Sequence, residues 1–488
     1  PVAAGEMSPV INPAEPKDIV GYVREATPRE VEQALESAVN NAPIWFATPP
    51  AERAAILHRA AVLMESQMQQ LIGILVREAG KTFSNAIAEV REAVDFLHYY
   101  AGQVRDDFAN ETHRPLGPVV CISPWNFPLA IFTGQIAAAL AAGNSVLAKP
   151  AEQTPLIAAQ GIAILLEAGV PPGVVQLLPG RGETVGAQLT GDDRVRGVMF
   201  TGSTEVATLL QRNIASRLDA QGRPIPLIAE TGGMNAMIVD SSALTEQVVV
   251  DVLASAFDSA GQRCSALRVL CLQDEIADHT LKMLRGAMAE CRMGNPGRLT
   301  TDIGPVIDSE AKANIERHIQ TMRSKGRPVF QAVRENSEDA REWQSGTFVA
   351  PTLIELDDFA ELQKEVFGPV LHVVRYNRNQ LPELIEQINA SGYGLTLGVH
   401  TRIDETIAQV TGSAHVGNLY VNRNMVGAVV GVQPFGGEGL SGTGPKAGGP
   451  LYLYRLLANR PESALAVTLA RQDAKYPVDA QLKAALTQ

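Results

Sequence analysis

A cysteine and a glutamate are the residues of this chain whose types and setting best suit joint chemistry. Cys264 lies in FDSAGQRCSALRVL, between a predicted helix and a predicted apolar strand, and Glu230 precedes it by 34 positions in LIAETGGMNA. The two glycines of that run let backbone and substrate come close. A thiolate can attack a carbonyl, and a carboxylate can activate the water that releases the acyl group. The pair predicts covalent catalysis; the alternative is a buried structural cysteine.

Asn126, in the proline-bounded run PWNFP, is the next candidate. A side-chain amide in a rigid loop can donate to a developing oxyanion with little reorganisation. The alternative is an asparagine that satisfies a turn. Asn126 is therefore a candidate oxyanion donor.

Polar residues at predicted strand ends suggest a dinucleotide site. Ligands bind at the carboxyl ends of parallel strands. Lys149 and Glu152 leave one strand within reach of ribose hydroxyls, and Gly202 and Ser203 open a helix whose free N–H groups can face a pyrophosphate. Glu365 in KEVFGPV could also accept from ribose hydroxyls. A full Gly-x-Gly-x-x-Gly fingerprint is absent, so spacing alone does not distinguish this site from turns and solvated charges.

The elements that must position these residues alternate between strands and helices. Residues 27–103 read as helices, with a Thr-Pro start signal. Apolar runs such as GPVVCIS and NSVLAKP then alternate with helices, which predicts a parallel sheet covered on both faces. A second α/β series begins near Glu230, with PLIAETGGMNAMIV strand-like. Residues 327–346 read as a surface excursion, and the glycine-rich run after Pro434 reads as irregular.

Composition limits the class of protein. The chain has 488 residues, 45% of them hydrophobic, and 42 glycines, which predicts a soluble globular protein with two or three packed lobes. A net charge of −12 without a basic run argues against nucleic acid as a partner. The sequence has no stretch of about 18 apolar residues without charges, so no membrane insertion is predicted. Small metabolites remain as partners.

Four cysteines without a C-x-x-C pair argue against a disulfide framework and a zinc site, and no metal is expected. This cysteine usage predicts a reducing, cytoplasmic compartment. The chain begins at Pro1 in a loop-like segment without a signal peptide. We expect a piece of a longer polypeptide, with a processed start as the alternative.

Seven runs occur in the order and spacing of the aldehyde dehydrogenase superfamily, which the chain resembles over nearly its whole length: PWNFP, AKPAEQTP, FTGSTEVA, ETGGMN, GQRCSA, EVFGPV and PFGGEGLSGTG. Longer runs such as SAFDSAGQRCSALRVLCLQ and GGEGLSGTGPKAGGP are similar to the L-glutamate γ-semialdehyde (1-pyrroline-5-carboxylate) dehydrogenase module of bifunctional bacterial proline-catabolic enzymes. The resemblance implies NAD-dependent oxidation of that semialdehyde to L-glutamate. Ala207, where many relatives have glycine, is a departure that concerns helix packing alone.

The resemblance implies a role for each site residue. Cys264 would be the nucleophile, Glu230 the base that activates water, and Asn126 the amide that holds the oxyanion with the Cys264 backbone N–H. The residues expected to bind NAD are Ser123, Trp125, Lys149, Glu152, Gly202, Ser203, Glu365 and Phe367. The substrate carboxylate is expected at Ser265, Gly427 and Ala428, and its aliphatic part between Phe127 and Phe435.

The implied fold is α/β: the aldehyde dehydrogenase fold, with a doubly wound parallel-sheet NAD domain, an α/β catalytic domain and a small oligomerisation β-flap. The expected boundaries are 1–230 for the NAD domain, with the flap near 104–120, then 231–434 for the catalytic domain and 435–488 for a return segment and oligomerisation tail. The chain would be a homo-oligomer or a module of a larger chain with a proline dehydrogenase domain.

Three alternatives remain open for the function. The first is an NAD- or NADP-dependent dehydrogenase of another semialdehyde, such as succinic semialdehyde. The second is a cofactor-free thiol hydrolase, which needs a histidine partner for Cys264. None of the eight histidines lies in a comparable motif. The third is an inactive homologue, against which intact Cys264 and Glu230 argue.

Overall fold

The computed structural model describes residues 6–219, 222–333, 343 and 345–475. The strands in chain order are β1 (Met7–Asn12), β2 (Glu15–Arg24), β3 (Arg114–Pro115), β4 (Pro118–Ile122), β5 (Ser145–Lys149), β6 (Val175–Leu177), β7 (Gly197–Thr201), β8 (Leu227–Glu230), β9 (Ala236–Val239), β10 (Val269–Gln273), β11 (Val329–Gln331), β12 (Thr352–Leu356), β13 (Val370–Tyr376), β14 (Tyr393–Gly394), β15 (Thr396–His400), β16 (Asn418–Val421), β17 (Glu438–Gly439) and β18 (Leu457–Asn459).

The α-helices in chain order are α1 (Pro28–Ala47), α2 (Pro50–Ser66), α3 (Met68–Glu78), α4 (Phe83–Asp107), α5 (Ala130–Ala141), α6 (Pro155–Glu167), α7 (Ala187–Gly191), α8 (Thr204–Ile214), α9 (Thr245–Phe257), α10 (Asp274–Glu290), α11 (Ser309–Ser324), α12 (Leu381–Ala390), α13 (Asp404–Ser413) and α14 (Ala464–Lys475). The predicted start of the helical region is confirmed at α1. Thr27 Oγ1 accepts the Glu30 N–H at 3.3 Å, and the Glu30 carboxylate accepts the Thr27 N–H at 2.8 Å, which forms a capping box.

The first sheet has five parallel strands in the order β6-β5-β4-β7-β8. Its central strands are buried on both faces, as predicted. Val120 and Leu147 pack in one apolar cluster with α1, whereas Cys121 and Val146 pack in another with α5. Successive side chains of a strand point to opposite faces, so α1 and α5 cover the two sides of the sheet.

The second sheet has seven strands in the order β11-β12-β13-β10-β9-β15-β16, parallel except for the edge strand β11. The prediction of a surface excursion over 327–346 is wrong for Val329–Gln331, which pairs with β12. Residues 334–342 and 344 lie outside the described residues. The α/β fold class of the resemblance is confirmed by the two sheets.

The run PLIAETGGMNAMIV contains two strands rather than one. β8 ends at Glu230 in the first sheet, and β9 begins at Ala236 in the second. Period-two patterning shows which residues are buried but not to which sheet they belong, so the sequence did not separate them. The five residues between the strands cross from sheet to sheet, which places Glu230 where the two sheets meet.

The segment predicted as an oligomerisation flap near 104–120 is partly helical, because α4 continues to Asp107. β3 then pairs antiparallel with β18, so this segment and the C-terminal region are joined in one small ribbon. The flap's oligomeric role and the three domain boundaries stay predictions. Residues 476–488 of the predicted tail lie outside the described residues. Among the helices that the structure does describe, none is long and apolar enough to cross a membrane.

Candidate active site

Cys264 lies in a loop of constrained backbone between α9 and β10. Three consecutive residues before it, Ser259, Ala260 and Gly261, have φ values of 55°, 54° and 67°. Residues with a Cβ rarely adopt this left-handed conformation, and such strain concentrates at functional sites. Asn235 then holds the loop, since its Nδ2 donates to the Cys264 carbonyl at 2.6 Å and to the Ala266 carbonyl at 2.9 Å. The loop therefore presents the thiol from a fixed backbone.

The Cys264 thiol borders two cavities and lies among carboxylates. Burial raises the pKa of the thiol to about 12, and the negative charges of Glu365, Glu230 and Glu92 add to the rise. The Ser265 backbone N–H acts in the opposite direction. The thiol is thus protonated at neutral pH in this arrangement, and its ionisation requires a positive charge or a proton acceptor.

Glu230, at the end of β8, is enclosed by the glycine-rich run near the C-terminus. Gly437 donates its N–H to Glu230 Oε2 at 3.1 Å. A Cβ on Gly436 would lie 2.7 Å from Oε1, and one on Gly442 would lie 2.8 Å from Oε2, so a side chain at either position would collide with the carboxylate. The run was predicted to be irregular; apart from β17, it is a wall shaped around Glu230.

Burial raises the pKa of Glu230 to about 8, although the Gly437 hydrogen bond and the charge of Lys446 lower it. Among the residues that the structure describes, none forms a hydrogen bond with Glu230 Oε1. A carboxylate with a pKa near the working pH and a free oxygen is suited to take a proton from water.

Asn126 lies on the larger of the two cavities that Cys264 borders. Its Nδ2 donates to the Gln262 carbonyl at 3.1 Å. The amide is therefore anchored to the same loop that carries the nucleophile, two residues before it.

The larger cavity, of about 630 Å³, is where the structure brings together most of the predicted cofactor residues: Trp125, Gly202, Ser203, Glu365 and Phe367. The Trp125 and Phe367 rings meet edge to face with centroids 5.5 Å apart. Arg268, which the sequence analysis missed, stacks 5.0 Å from the Phe367 centroid and pairs with Glu365 at 2.8 Å. Gly232 faces the same carboxylate and leaves no room for a Cβ.

Ser203 is the residue that caps α8 at this cavity. Its side chain accepts the Val206 N–H at 3.3 Å, so the helix begins at the cavity wall with its free N–H groups nearby. Gly202 packs against Phe200, where a Cβ would lie 2.6 Å from the ring. Arg317 and Lys364 supply positive charge on the same wall.

Three predicted cofactor residues do not line the larger cavity. Lys149 is buried, with its Nζ donating to the Pro150 carbonyl at 3.1 Å. Glu152 is exposed, accepts the Gly182 N–H at 2.9 Å and borders a separate cavity of about 380 Å³. Ser123 is buried and donates to Gln135 Oε1 at 2.8 Å. Their role in binding NAD stays a prediction.

The smaller cavity, of about 110 Å³, lies on the other side of Cys264. It brings together Cys264, Glu230 and all five predicted substrate residues: Phe127, Ser265, Gly427, Ala428 and Phe435. Gly427 has a φ of 80°, a conformation that favours glycine. Phe435 is held by paired backbone hydrogen bonds with Ala447 at 3.0 and 2.9 Å.

Several further residues of the smaller cavity were not predicted from the sequence, above all Glu92 on α4. Burial and the charge of Glu89 raise the pKa of Glu92 to about 7, while Arg263 and Lys81 lower it. A signal was present, because Glu89 interrupts the buried apolar face of α4 and the half-buried Glu92 follows it by three positions, on the same side of the helix. A buried carboxylate on a helix needs a partner, and that partner can be a ligand.

The hydrolase alternative requires a histidine next to the thiol. His318 is the histidine on the larger cavity, and its Nε2 is hydrogen-bonded to Nε2 of His372 at 2.9 Å. In the described ranges no hydrogen bond joins a histidine to Cys264. Nor do those ranges contain a group of three or more His, Cys, Asp or Glu side chains arranged to hold a metal ion.

Comparison with known proteins adds to this geometry. Residues 2–458 match the model of the aldehyde dehydrogenase family. The chain belongs to the aldehyde dehydrogenase family. Over 486 residues it is 92% identical to the bifunctional protein PutA of Salmonella typhimurium. This match covers all of this chain and 37% of that protein. The chain therefore spans little more than a third of the length of this bifunctional relative.

Relatives of similar length also match this chain. The 1-pyrroline-5-carboxylate dehydrogenase of Bacillus cereus is 37% identical over 457 residues, which cover 91% of this chain and 87% of that protein. The structure of 1-pyrroline-5-carboxylate dehydrogenase from Thermus with bound NAD superposes with a TM-score of 0.85 at 37% identity. That match covers 93% of this chain and 89% of the Thermus chain. The predicted membership of the aldehyde dehydrogenase superfamily is confirmed.

Proposed function

We propose that this chain oxidises L-glutamate γ-semialdehyde to L-glutamate with NAD, as a step of proline catabolism. The observation that carries the proposal is the position of Cys264, which borders a cavity large enough for a dinucleotide and a small cavity with an acid-lined wall. The kinship with dehydrogenases of 1-pyrroline-5-carboxylate supports this substrate.

Each catalytic residue has a defined task. The Cys264 thiol loses its proton to water, and its sulfur adds to the aldehyde carbon. The Asn126 amide with the Cys264 backbone N–H stabilises the resulting oxyanion. Loss of a hydride from this carbon leaves a thioester to Cys264, and NAD in the larger cavity would supply the hydride acceptor. Glu230 then takes a proton from water, whose oxygen attacks the thioester carbon. The carbon–sulfur bond breaks, which releases the acid and restores the cysteine.

The residues of the larger cavity fit NAD. The N-terminus of α8 with Ser203 suits the pyrophosphate, since free N–H groups and the helix dipole favour an anion. Glu365 can accept from ribose hydroxyls while Arg268 holds it in place. The Phe367 ring lies on the same wall. Lys149 and Glu152 would contact the second ribose.

Glu152 provides a test of the cofactor preference. A carboxylate accepts from a ribose 2′-hydroxyl and repels a 2′-phosphate, so we expect the protein to prefer NAD to NADP. Glu152→Ser should narrow the ratio of kcat/KM for the two cofactors roughly fivefold, because charges about 4 Å apart in water interact by about 1 kcal/mol. The ratio is measured from reduced-cofactor absorbance with each dinucleotide. Equal use of both by the unchanged protein would contradict the assignment.

The smaller cavity suits a substrate with two charges. Glutamate semialdehyde carries an ammonium and a carboxylate on the carbon at the end opposite its aldehyde. Glu92 supplies a negative charge for the ammonium. Ser265 can donate its hydroxyl, and Gly427 and Ala428 can donate backbone N–H groups, to the carboxylate. Phe127 and Phe435 enclose the methylene chain between these groups and Cys264.

Ser265 tests this orientation of the substrate. A hydrogen bond to a charged group is worth ~1.5–3 kcal/mol, so Ser265→Ala should raise KM for glutamate semialdehyde by roughly tenfold or more. KM for propanal, which has no carboxylate, is the internal control and should change little. Steady-state kinetics with both aldehydes give the comparison. Equal changes for both substrates would place the carboxylate elsewhere and favour the succinic semialdehyde alternative.

Substrate choice itself is tested with NAD and a panel of aldehydes. We expect the highest kcat/KM for glutamate semialdehyde, lower values for succinic semialdehyde, which lacks the ammonium, and the lowest for propanal. Glu92→Gln should reduce in particular the ratio of kcat/KM for glutamate semialdehyde to kcat/KM for succinic semialdehyde. A panel in which succinic semialdehyde ranks first would replace the proposed substrate with that alternative.

The setting of the chain follows from its relatives. We propose that it is a module of a bifunctional chain in which a proline dehydrogenase domain supplies the substrate, since 486 of its residues match part of a bifunctional PutA. Four cysteines in 488 residues, one of them the proposed nucleophile, suit a reducing cytoplasmic compartment. The homo-oligomer that the resemblance implies, with the flap near 104–120 and the C-terminal tail as its contacts, is part of the same proposal.

A further inference from the structure

The first turn of α5 lies inside the protein and lacks a cap of its own. Leu129 and Ala130 are fully buried, and α5 has no side-chain hydrogen bond from its own N-cap residue. Free N–H groups at a buried helix start need a partner. Glu89, on α4, supplies it: its Oε1 accepts the Leu129 N–H at 2.8 Å and the Ala130 N–H at 3.3 Å. The carboxylate also complements the helix dipole.

Lys81 completes this arrangement. Its Nζ lies 2.6 Å from Glu89 Oε2, and both side chains are almost fully buried. The same Nζ lies 4.4 Å from the centroid of the Phe127 ring, which is a cation–π distance. Phe127 is itself tied to the helix start, because its carbonyl accepts the Ile131 N–H at 3.2 Å. The ion pair thus contacts the chain on both sides of Pro128.

We propose that the Lys81–Glu89 ion pair is a positioning clamp for the Asn126–Phe127 loop. Asn126 directly precedes Phe127, so a shift of the helix start or of the ring moves the oxyanion donor and one wall of the smaller cavity together. Neither Lys81 nor Glu89 borders that cavity; they act through the loop. The catalytic part of this inference rests on the proposed function.

A neighbouring glutamate provides the matched control. Glu78 does for α6 what Glu89 does for α5: its carboxylate accepts the Leu156 N–H at 2.7 Å and the Ile157 N–H at 2.9 Å. Glu78 is equally buried, and within the described residues the hydrogen bonds of its carboxylate go to Leu156 and Ile157 rather than to the Asn126–Phe127 loop. A general effect of losing a buried carboxylate on stability will therefore be shared by both variants, and an effect of the clamp will not.

The test compares Glu89→Gln, Lys81→Met and the double variant with Glu78→Gln. Removing one partner of a buried pair destabilises a protein more than removing both charges, so the double variant is the one best able to fold. Hydrogen exchange of the amides at 126–131 measures the clamp without reference to activity. We expect faster exchange there in the Glu89 and Lys81 variants, whereas Glu78→Gln should affect the start of α6.

The kinetic measurement is the single-turnover rate of hydride transfer at saturating NAD. Each clamp variant should lose roughly tenfold or more, since a displacement of about 1 Å can cost ~10²-fold, with KM for NAD unchanged. The rate of the double variant should fall no further than that of either single variant, because both substitutions break the same ion pair. Additive losses, or the same loss in Glu78→Gln, would overturn the clamp. Unchanged exchange at 126–131 in the clamp variants would also overturn it. If exchange changes in these variants but the parent protein does not oxidise glutamate semialdehyde, the proposed function alone is refuted.

Discussion

Replacing Cys264 with alanine should abolish aldehyde oxidation while NAD binding stays intact. Removing the nucleophile from a covalent mechanism costs at least about 10⁴-fold in turnover. The thiol borders the larger cavity, but Cys264 is not one of the residues expected to bind NAD, so the affinity for NAD should not change. Turnover is followed by absorbance of the reduced cofactor, and NAD affinity by calorimetric titration.

The other cysteines serve as controls for this substitution. Cys121 and Cys271 are buried in β4 and β10, and Cys291 follows α10. Cys291→Ala should leave turnover near the parent value, and Cys271→Ala should lower thermal stability through a small core cavity but retain activity. Substantial turnover in Cys264→Ala would show that the reaction does not pass through a thioester at this residue.

Glu230→Gln should separate the two halves of the reaction. Hydride transfer does not need the base that activates water, whereas release of the acid does. We therefore expect a rapid burst of about one reduced cofactor per site, then a steady rate lower by roughly 10²- to 10⁴-fold. Stopped-flow absorbance resolves both phases. Loss of the burst itself would move Glu230 to the step that activates the thiol.

The pH dependence gives a second signature of Glu230. Its pKa is raised to about 8, so the ionised form, which is the base, increases as the pH rises through that value. The rate of acid release in the parent protein should rise between about pH 7 and pH 9 and then level off. Glu230→Gln should lose this rise. A parent profile that is flat over this interval would contradict the assignment of Glu230 as the base.

Much of the fold could be predicted from local patterns. The apolar runs of β4 and β5 lie between helices at the spacing of a parallel sheet, and the Thr27 signal marks the start of α1. These features depend on residues close together in the chain. Much of the candidate site could also be predicted from the sequence, because Cys264 and Asn126 lie in distinctive short runs.

The parts that could not be predicted depend on residues far apart in the chain. The wall around Glu230 comes from Gly437, 207 positions later, and the acid of the smaller cavity comes from Glu92 on a helix that reads as core. The run PLIAETGGMNAMIV looked like one strand because alternation does not tell one sheet from another.

The sequence by itself determined the chemistry available to this protein: one thiol in a small-residue loop, a carboxylate beside glycines, and a parallel α/β scaffold. Tertiary structure alone decided that Cys264 opens to two cavities, that Glu230 has a pKa of about 8, and that Lys81 and Glu89 hold the loop of Asn126. The reason is physical. Residue types set which bonds a side chain can make, but burial and the distance between groups depend on how remote segments pack, and these set its charge and its partners.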